Sequence, residues 1–98
     1  MSQLTVFEVP ERFTIAQAQQ VYEQLNGLLE NNDVENIVLD ATDVVKIDAA
    51  GLQLLLSFYR TATKFHKPVQ WRNPSAELID SANILGLAAE LALDNTVN

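Results

Sequence analysis

The sequence contains no cysteine among its 98 residues, and it has few glycines and prolines, three of each. The lack of cysteine excludes disulfides, thiolate metal ligands and cysteine nucleophiles. The glycines form neither a phosphate-binding P-loop nor a dinucleotide-binding fingerprint. The single histidine, His66, has no serine at a spacing that ties the two together. We therefore expect a protein that is not an enzyme and that needs no cofactor and no metal.

Long hydrophobic runs and positive charges are also scarce. No stretch approaches the roughly 20 apolar residues of a membrane-spanning helix, and the first residues do not resemble a signal peptide. With 13 acidic against 6 basic residues, the formal net charge of −7 repels nucleic acid and anionic lipid. We expect a cytoplasmic protein with no nucleic-acid partner and no direct membrane insertion. The length suits one domain over residues 1–98.

The basic residues that the chain has are concentrated in its second half. They are Arg60, Lys64, Lys67 and Arg72, with His66 among them. This group could form a local anion site or a face for an acidic protein. A simpler interpretation is a helix end, where cations interact favourably with the C-terminal dipole.

The first half of the chain alternates strand and helix patterns. Leu4, Val6 and Val9 flank the polar residues Thr5 and Glu8 in a short pattern that predicts a strand. From Ile15 onward, apolar residues recur every three or four positions, which predicts a helix with Thr14 as N-cap that ends near Asn31. Residues 36–41 are apolar and branched, and this composition is typical of a central strand buried on both faces.

The second half repeats this alternation. Asp48 is placed as the N-cap of a largely buried helix from Ala49 to His66, and the alternating residues 69–72 predict another strand. Four aromatic residues here are expected to lie in or near the core rather than to bind a cofactor: Phe58, Tyr59, Phe65 and Trp71. Leu54, Leu55 and Leu56 cannot all point inward, so an exposed leucine among them would mark a docking face.

A last helix and a tail complete the pattern. Asn73 is the expected N-cap of this helix, Pro74 its first residue, and Gly86 its end. The tail, residues 87–98, is expected to form a short helix or an edge strand, and its alanine and leucine content favours the helix. The whole order predicts an α/β fold, with helices packed on a mixed, largely parallel sheet of about four strands.

In such sheets, ligands and partners meet the turns that leave the carboxyl ends of strands, and Asp48 lies in one of these turns. Its carboxylate is expected to accept from the N–H of Ala50 or Gly51. Since Ala49, Ala50 and Gly51 are small, the start of the helix should be accessible to a docking partner. A second interpretation has Asp40, Asp43 and Asp48 converging on a divalent cation, although acids also cap helices and solubilise turns.

Two segments together resemble the STAS family: "IVLDATDVVKIDAAGLQLLLSFYRTA" and "KPVQWRNPSAELIDSANILGL". The resemblance covers about residues 4–90 and implies a STAS-like sandwich. The family includes bacterial anti-sigma factor antagonists, sulfate transporter tails and the STAS subunit of phospholipid-trafficking transporters. Its kinase-regulated members carry a phosphorylated serine or threonine at the position of Ala50. Since neither Ala49 nor Ala50 has a hydroxyl, the resemblance implies a docking surface without that switch.

The sequence also departs from the family in two places. "PERFT", residues 10–14, replaces the usual Gly-Glu-Leu-Asp-like turn, and a common leading strand before Leu4 is missing. Both departures weaken the case for nucleotide binding. Other hydroxyls lie farther along the helix, at Ser57, Thr61 and Thr63, and their positions give no reason to expect phosphorylation.

The function that we expect is therefore that of a non-enzymatic protein-interaction module. Its partner would be another bacterial protein: an anti-sigma factor kinase, a chemotaxis kinase complex that uses the domain as an adaptor, or a transporter ATPase. The alternatives are a subunit that stabilises a lipid-transport ATPase and a regulatory domain that binds a nucleotide or small anion at the helix N-terminus. The expected partner-binding residues are Asp43, Lys46, Asp48, Ala49, Ala50, Gly51 and Gln53.

Overall fold

Three helices and five strands lie along residues 4–96, the part of the chain that the computed structural model describes. In chain order the elements are β1 (Leu4–Glu8), β2 (Arg12–Phe13), α1 (Ile15–Glu30), β3 (Asn36–Asp40), β4 (Lys46–Ile47), α2 (Ala49–Lys64), β5 (Val69–Arg72) and α3 (Ala76–Ile84). None of these helices has the length and hydrophobicity that crossing a bilayer requires.

The main sheet has the order β1-β3-β5, and both of its strand pairs are parallel. The central strand β3 is buried on both faces, since Ile37, Val38 and Leu39 are all buried. The α/β class and the central strand are therefore confirmed. The strand number is different, because the main sheet has three strands where about four were predicted.

The other two strands form a separate parallel ladder, which pairs Arg12 with Lys46 and Phe13 with Ile47. Each strand is only two residues long, too short to produce an alternating pattern in the sequence. The ladder nevertheless sets the architecture of the site. Strand β2 leads into α1 and β4 leads into α2, so the two helices begin side by side and pack against each other.

The core lies between the helices and one face of the main sheet. It includes Val21, Leu25, Leu29, Ile37, Leu39, Leu52, Leu55, Phe58, Val69, Trp71 and Leu78. Leu55 and Leu56 are buried and Leu54 is half-buried, so none of the three is the exposed leucine that was anticipated. Phe65 was assigned wrongly to the core, since 49% of it is exposed just past the end of α2.

The boundaries of α1 follow the prediction and those of the other helices differ in part. Thr14 caps α1 in a capping box, because Gln17 Oε1 accepts from the Thr14 N–H at 3.0 Å and from its hydroxyl at 2.8 Å. Helix α2 begins after Asp48 as predicted, but it ends at Lys64. The chain leaves the helical conformation at His66, whose φ is +58°, in the left-handed region.

The start of α3 was predicted wrongly. Asn73 has φ +47° and forms a left-handed turn, while the hydroxyl of Ser75 accepts from the Leu78 N–H at 3.1 Å and caps the helix. The end was predicted correctly, since Gly86 follows α3 with φ +71°. The helix favoured for the tail is also wrong. Residues 88–94 form successive turns, and an isolated bridge joins Thr96 to Trp71 beside β5. Residues 97 and 98 of the tail lie outside the described part of the chain.

Candidate functional site

The carboxylate of Asp48 joins the N-termini of both long helices. Its Oδ1 accepts from the Gly51 N–H of α2 at 2.9 Å, and its Oδ2 accepts from the Ile15 N–H of α1 at 3.0 Å. The first contact was predicted from the sequence. The second spans 33 residues of chain and exists because the β2–β4 ladder brings the two helix starts together. One side chain therefore satisfies N–H groups that neither helix can satisfy internally.

These contacts also set the electrostatics of Asp48. Its pKa is held below the ordinary aspartate value, chiefly by the hydrogen bond from the Gly51 N–H and also by the one from Ile15. The carboxylate consequently remains charged at neutral pH, where it interacts favourably with the positive ends of both helix dipoles.

Gly51 lies beneath the surface rather than on it. The residue is buried, and a Cβ there would collide with the carbonyl oxygen of Phe13 and lie 3.0 Å from Ile47 Cγ1. Glycine is therefore needed so that the first turn of α2 can pack closely against β2. The expectation that Gly51 contributes to an accessible helix start is wrong.

The two helix starts are surrounded by exposed residues, among them Arg12, which pairs with Lys46 in the ladder. We define the tip face by five of these residues. They are Ile15, Val45, Lys46, Ala49 and Gln53. Lys46, Ala49 and Gln53 were expected here, whereas Val45 was not singled out and Ile15 was assigned to the inner stripe of α1. The exposed fractions of Ile15 and Val45 are 75% and 60%, respectively. Ala50 is half-buried at the edge of this surface.

The tip face carries little charge in a strongly acidic chain. Residues 14–21, which include the first turns of α1, contain no ionisable side chain. The same is true of residues 50–58 in α2. Lys46 is the one charged residue of the tip face, and Asp48 beside it is engaged by the two N–H groups. The helix starts therefore present neutral and apolar side chains to a partner.

Asp43 lies in an acidic cleft at the carboxyl ends of β1 and β3. This cleft has a volume of about 720 Å³ and is lined by Glu8, Val9, Pro10, Glu11, Asp40, Thr42 and Asp43. The Oδ1 atom of Asp40 accepts from the Thr42 N–H at 3.0 Å and from its hydroxyl at 2.6 Å. The hydroxyl bond is the main cause of the lowered pKa of Asp40, to which the nearby Arg72 also contributes.

This geometry is that of a turn rather than of a metal site. Asp40 is bound to its own turn and Asp48 to the two helices, as the capping interpretation predicted. Within residues 4–96, no group of three or more His, Cys, Asp or Glu side chains is arranged to hold a metal ion.

The basic residues expected near the end of α2 do not form one cluster. The ammonium of Lys67 donates to the carbonyl oxygens of Leu28, Leu29 and Asn31 at 3.1, 2.8 and 2.8 Å, so it caps the C-terminus of α1. The interpretation as a helix end is confirmed for Lys67, although the helix is α1 and not α2. Arg60 forms an exposed ion pair with Glu90 at 2.9 Å.

Solved structures with the same fold include STAS-type proteins from transporters and from sigma-factor regulation. A sulfate transporter family protein from Wolinella succinogenes matches with a TM-score of 0.76 and 21% identity, over 95% of this chain and 75% of that one. The anti-sigma factor antagonist SpoIIAA in its unphosphorylated form matches with a TM-score of 0.73 and 16% identity, over 91% and 77%. Murine Solute Carrier 26 family member A9, an anion transporter, matches with a TM-score of 0.79 and 12% identity, over 98% of this chain and 16% of that one.

These identities are low, so the structural likeness establishes the fold alone. No match to the chain was found among curated protein sequences. The sequence itself matches a family model, STAS_2, described as "Mlab, STAS domain", over residues 2–93. This match spans nearly the whole chain, and the chain therefore belongs to the STAS_2 family.

Proposed function

We propose that this chain is a cytoplasmic, single-domain interaction module that docks one partner protein through the tip face. Domains of the STAS family are generally non-enzymatic interaction modules. In this proposal Ile15, Val45 and Ala49 contact the partner directly, while Asp48 holds the two helix starts in place. Gly51 acts indirectly, by permitting the close packing beneath them.

The observation that carries the proposal is the neutral, apolar character of the tip face. Interface cores are depleted of charged residues, and exposed apolar side chains that lie together indicate interaction surfaces. Ile15 and Val45 are exposed by 75% and 60% next to a carboxylate whose hydrogen bonds are internal. A partner that covers Ile15 and Val45 would not bury an unpaired carboxylate, a step that would cost several kcal/mol. Lys46, the charged residue of the tip face, would need an acceptor from the partner or continued contact with water.

The same contacts argue against an anion or nucleotide at this position. Helix N-termini bind phosphate through their free N–H groups. Here the N–H groups of Ile15 and Gly51 already donate to Asp48, and a phosphate would also be repelled by that carboxylate. We therefore favour protein docking over a regulatory anion site.

Constitutive docking is the form of regulation that the sequence favours. Ala50 stands where kinase-regulated relatives carry a hydroxyl, so phosphorylation cannot add charge at this position. An anti-sigma factor kinase or a chemotaxis kinase complex would then be bound by an adaptor that is always competent.

A transporter component, such as the ATPase of a lipid transporter, is the second candidate partner. It is favoured by the description of the matching family model as a Mlab STAS domain. The tip face would then serve to stabilise the ATPase rather than to transmit a signal.

The test introduces a charge into the tip face. Ala49→Glu lies in the first turn of α2, where a carboxylate interacts favourably with the dipole, so the fold should be retained. Tagged wild-type and variant proteins would be used to capture partners from the native host, and the captured protein would be identified and purified. We expect Ala49→Glu to weaken its binding about tenfold or more, because the new charge would be buried unpaired.

Gln24→Glu is the matched control, since it places the same charge on an exposed position of α1, about 2.5 turns from Ile15. It should bind the purified partner as wild type does. If Ala49→Glu binds every captured partner with unchanged affinity, the tip face is not the docking surface. A sigma-factor regulator or a transporter ATPase as the captured protein would distinguish between the partner classes.

A further inference from the structure

A groove runs along the C-terminal half of α2, between this helix and residues 90–95. Two adjoining cavities form it, with volumes of about 440 and 480 Å³, and both are lined by Tyr59 and Thr63. Tyr59 is half-buried and packs against the core, while Val69 contributes a buried apolar wall. We call this feature the α2 groove. Apolar atoms make up more of its wall than polar atoms.

The rim of the α2 groove carries positive charge at one of its two cavities. Arg60 and Lys64 edge that cavity and are exposed, and Arg60 is paired there with Glu90. Lys67 also lines the groove, but its ammonium donates to three carbonyls at the end of α1. Because the chain as a whole has a formal net charge of −7, this rim is unlike the rest of the molecule. A partner that the rim attracts is acidic.

The structure already places a carboxylate at this rim. Glu90, from the segment that forms the opposite side of the groove, accepts from Arg60 Nη2 at 2.9 Å. The two side chains are 65% and 50% exposed, so water screens the pair and its stabilisation is small. A carboxylate from another chain could therefore replace that of Glu90 at little cost.

We propose that the α2 groove binds an extended acidic segment of a partner protein. Glutamate or aspartate side chains of that segment pair with Lys64 and take the place of Glu90 on Arg60. An apolar side chain between them lies against Tyr59. The α2 helix has 16 residues and is about 24 Å long, and the groove lies at the end opposite the tip face. This inference is independent of the proposed function, since both surfaces can be occupied together.

The test uses a defined peptide and the intact protein. Acetyl-Glu-Leu-Glu-Glu-Leu-Glu-amide would be titrated into isotope-labelled protein while amide shifts are followed by NMR. We expect saturable shifts at Tyr59, Thr63 and Asn95, with none at Ala49. Glu90→Gln should tighten binding about two- to fivefold, because Arg60 is released, and Lys64→Gln should weaken it by a similar factor. A variant that merely loosened the structure would not bind more tightly.

Three results would overturn the inference. The first is a peptide effect that maps outside the α2 groove or does not saturate. The second is an affinity of Glu90→Gln that is no higher than that of wild type, provided that its amide spectrum shows the native fold. The third is equal binding of the matched peptide in which every glutamate is glutamine, or equal shifts produced by inorganic phosphate or a single-stranded oligonucleotide.

Discussion

At one end of the helix pair, the Asp48 carboxylate accepts hydrogen bonds from the starts of α1 and α2. At the other end, the Lys67 ammonium, three residues beyond α2, donates to carbonyls at the end of α1. Each charge compensates helix termini whose backbone groups lack internal partners. The ends differ in what surrounds the charge. Beyond Asp48 the first turns of both helices carry no ionisable side chain, whereas near Lys67 the ammonium of Lys64 remains exposed.

This difference suggests two modes of recognition on one helix pair. At the tip face, the charge of Asp48 is paired with N–H groups within the fold. The remaining surface favours a partner that is complementary in shape. At the far end, Lys67 is bound within the fold and Lys64 remains exposed, which favours a partner that pairs by charge. The three predictions below test the contacts on which this comparison depends.

The largest expected effect comes from Gly51→Ala, which would separate the two helix starts. The added Cβ collides with the Phe13 carbonyl, a backbone atom that cannot rotate away. We expect the free energy of unfolding to fall by about 2 kcal/mol, as is usual when a close-packed site is overfilled. Urea denaturation monitored by circular dichroism measures the change.

Gly27→Ala is the control for this substitution. Gly27 lies within α1, and an added Cβ there meets no atom within 4 Å. Alanine at this position should raise the free energy of unfolding by about 0.5–1 kcal/mol, because it restricts the unfolded chain. Equal effects of the two substitutions would show that Gly51 does not support the junction of β2 and α2.

The next effect is that of Lys67→Met, which keeps the aliphatic chain and removes the cation. Loss of the hydrogen bonds to Leu28, Leu29 and Asn31 should lower the free energy of unfolding by about 1.5 kcal/mol. Lys64→Met, on the exposed surface of α2, should change it by less than about 0.5 kcal/mol. Similar losses in both variants would mean that Lys67 stabilises the fold through its positive charge in general, and not through hydrogen bonds to the α1 carbonyls.

The last prediction concerns the pH dependence of stability, and it uses Asp48→Asn, which removes the titrating group but places an amide donor against one of the two N–H groups. Since the pKa of Asp48 is lowered in the folded state, the unfolded chain binds the proton more tightly. Wild-type stability should therefore be constant near neutral pH and fall as the pH drops from about 5 to about 3. The variant should show a shallower fall, with some remaining from Asp40, whose pKa is lowered too.

Denaturant melts at several pH values in this range measure the slope. Lys67→Met, which leaves both carboxyl contacts intact, should keep the wild-type pH dependence. An Asp48→Asn slope equal to that of wild type would show that the charge of Asp48 contributes nothing to the junction of the helices.

Local signals in the sequence predicted the local parts of this structure. Thr14 and Asp48 were identified as caps because each is a short polar residue just before a helical apolar pattern. Their partners, Gln17 and Gly51, both lie three residues away. The buried strand around Val38 was evident from its continuous apolar run. The error at α3 has a local cause as well. Both Asn73 and Ser75 are good caps, and the left-handed turn at Asn73 decides in favour of Ser75.

The parts that could not be predicted depend on pairing distant segments. The contact from Ile15 to Asp48 and those from Lys67 to Leu28 and Leu29 join residues more than 30 positions apart. The contact to Asp48 depends on the two-residue ladder of β2 and β4, and the contacts of Lys67 depend on helix packing. Neither feature produces a periodic pattern in the sequence. When the ladder is not known, the periodicity of α1 assigns Ile15 to the inner face of the helix. The tip face therefore could not be predicted from the sequence.

Trp71 provides the chain with a built-in optical reporter of its C-terminal segment. It is the single tryptophan, it is fully buried, and its Nε1–H donates to the carbonyl of Leu91 at 2.8 Å. Its backbone N–H also donates to Asn95 at 3.0 Å. Detachment of residues 87–96 would expose the indole of Trp71 to water and shift its fluorescence emission to longer wavelength. Intrinsic tryptophan fluorescence can therefore report, without any label, whether this segment is packed against β5.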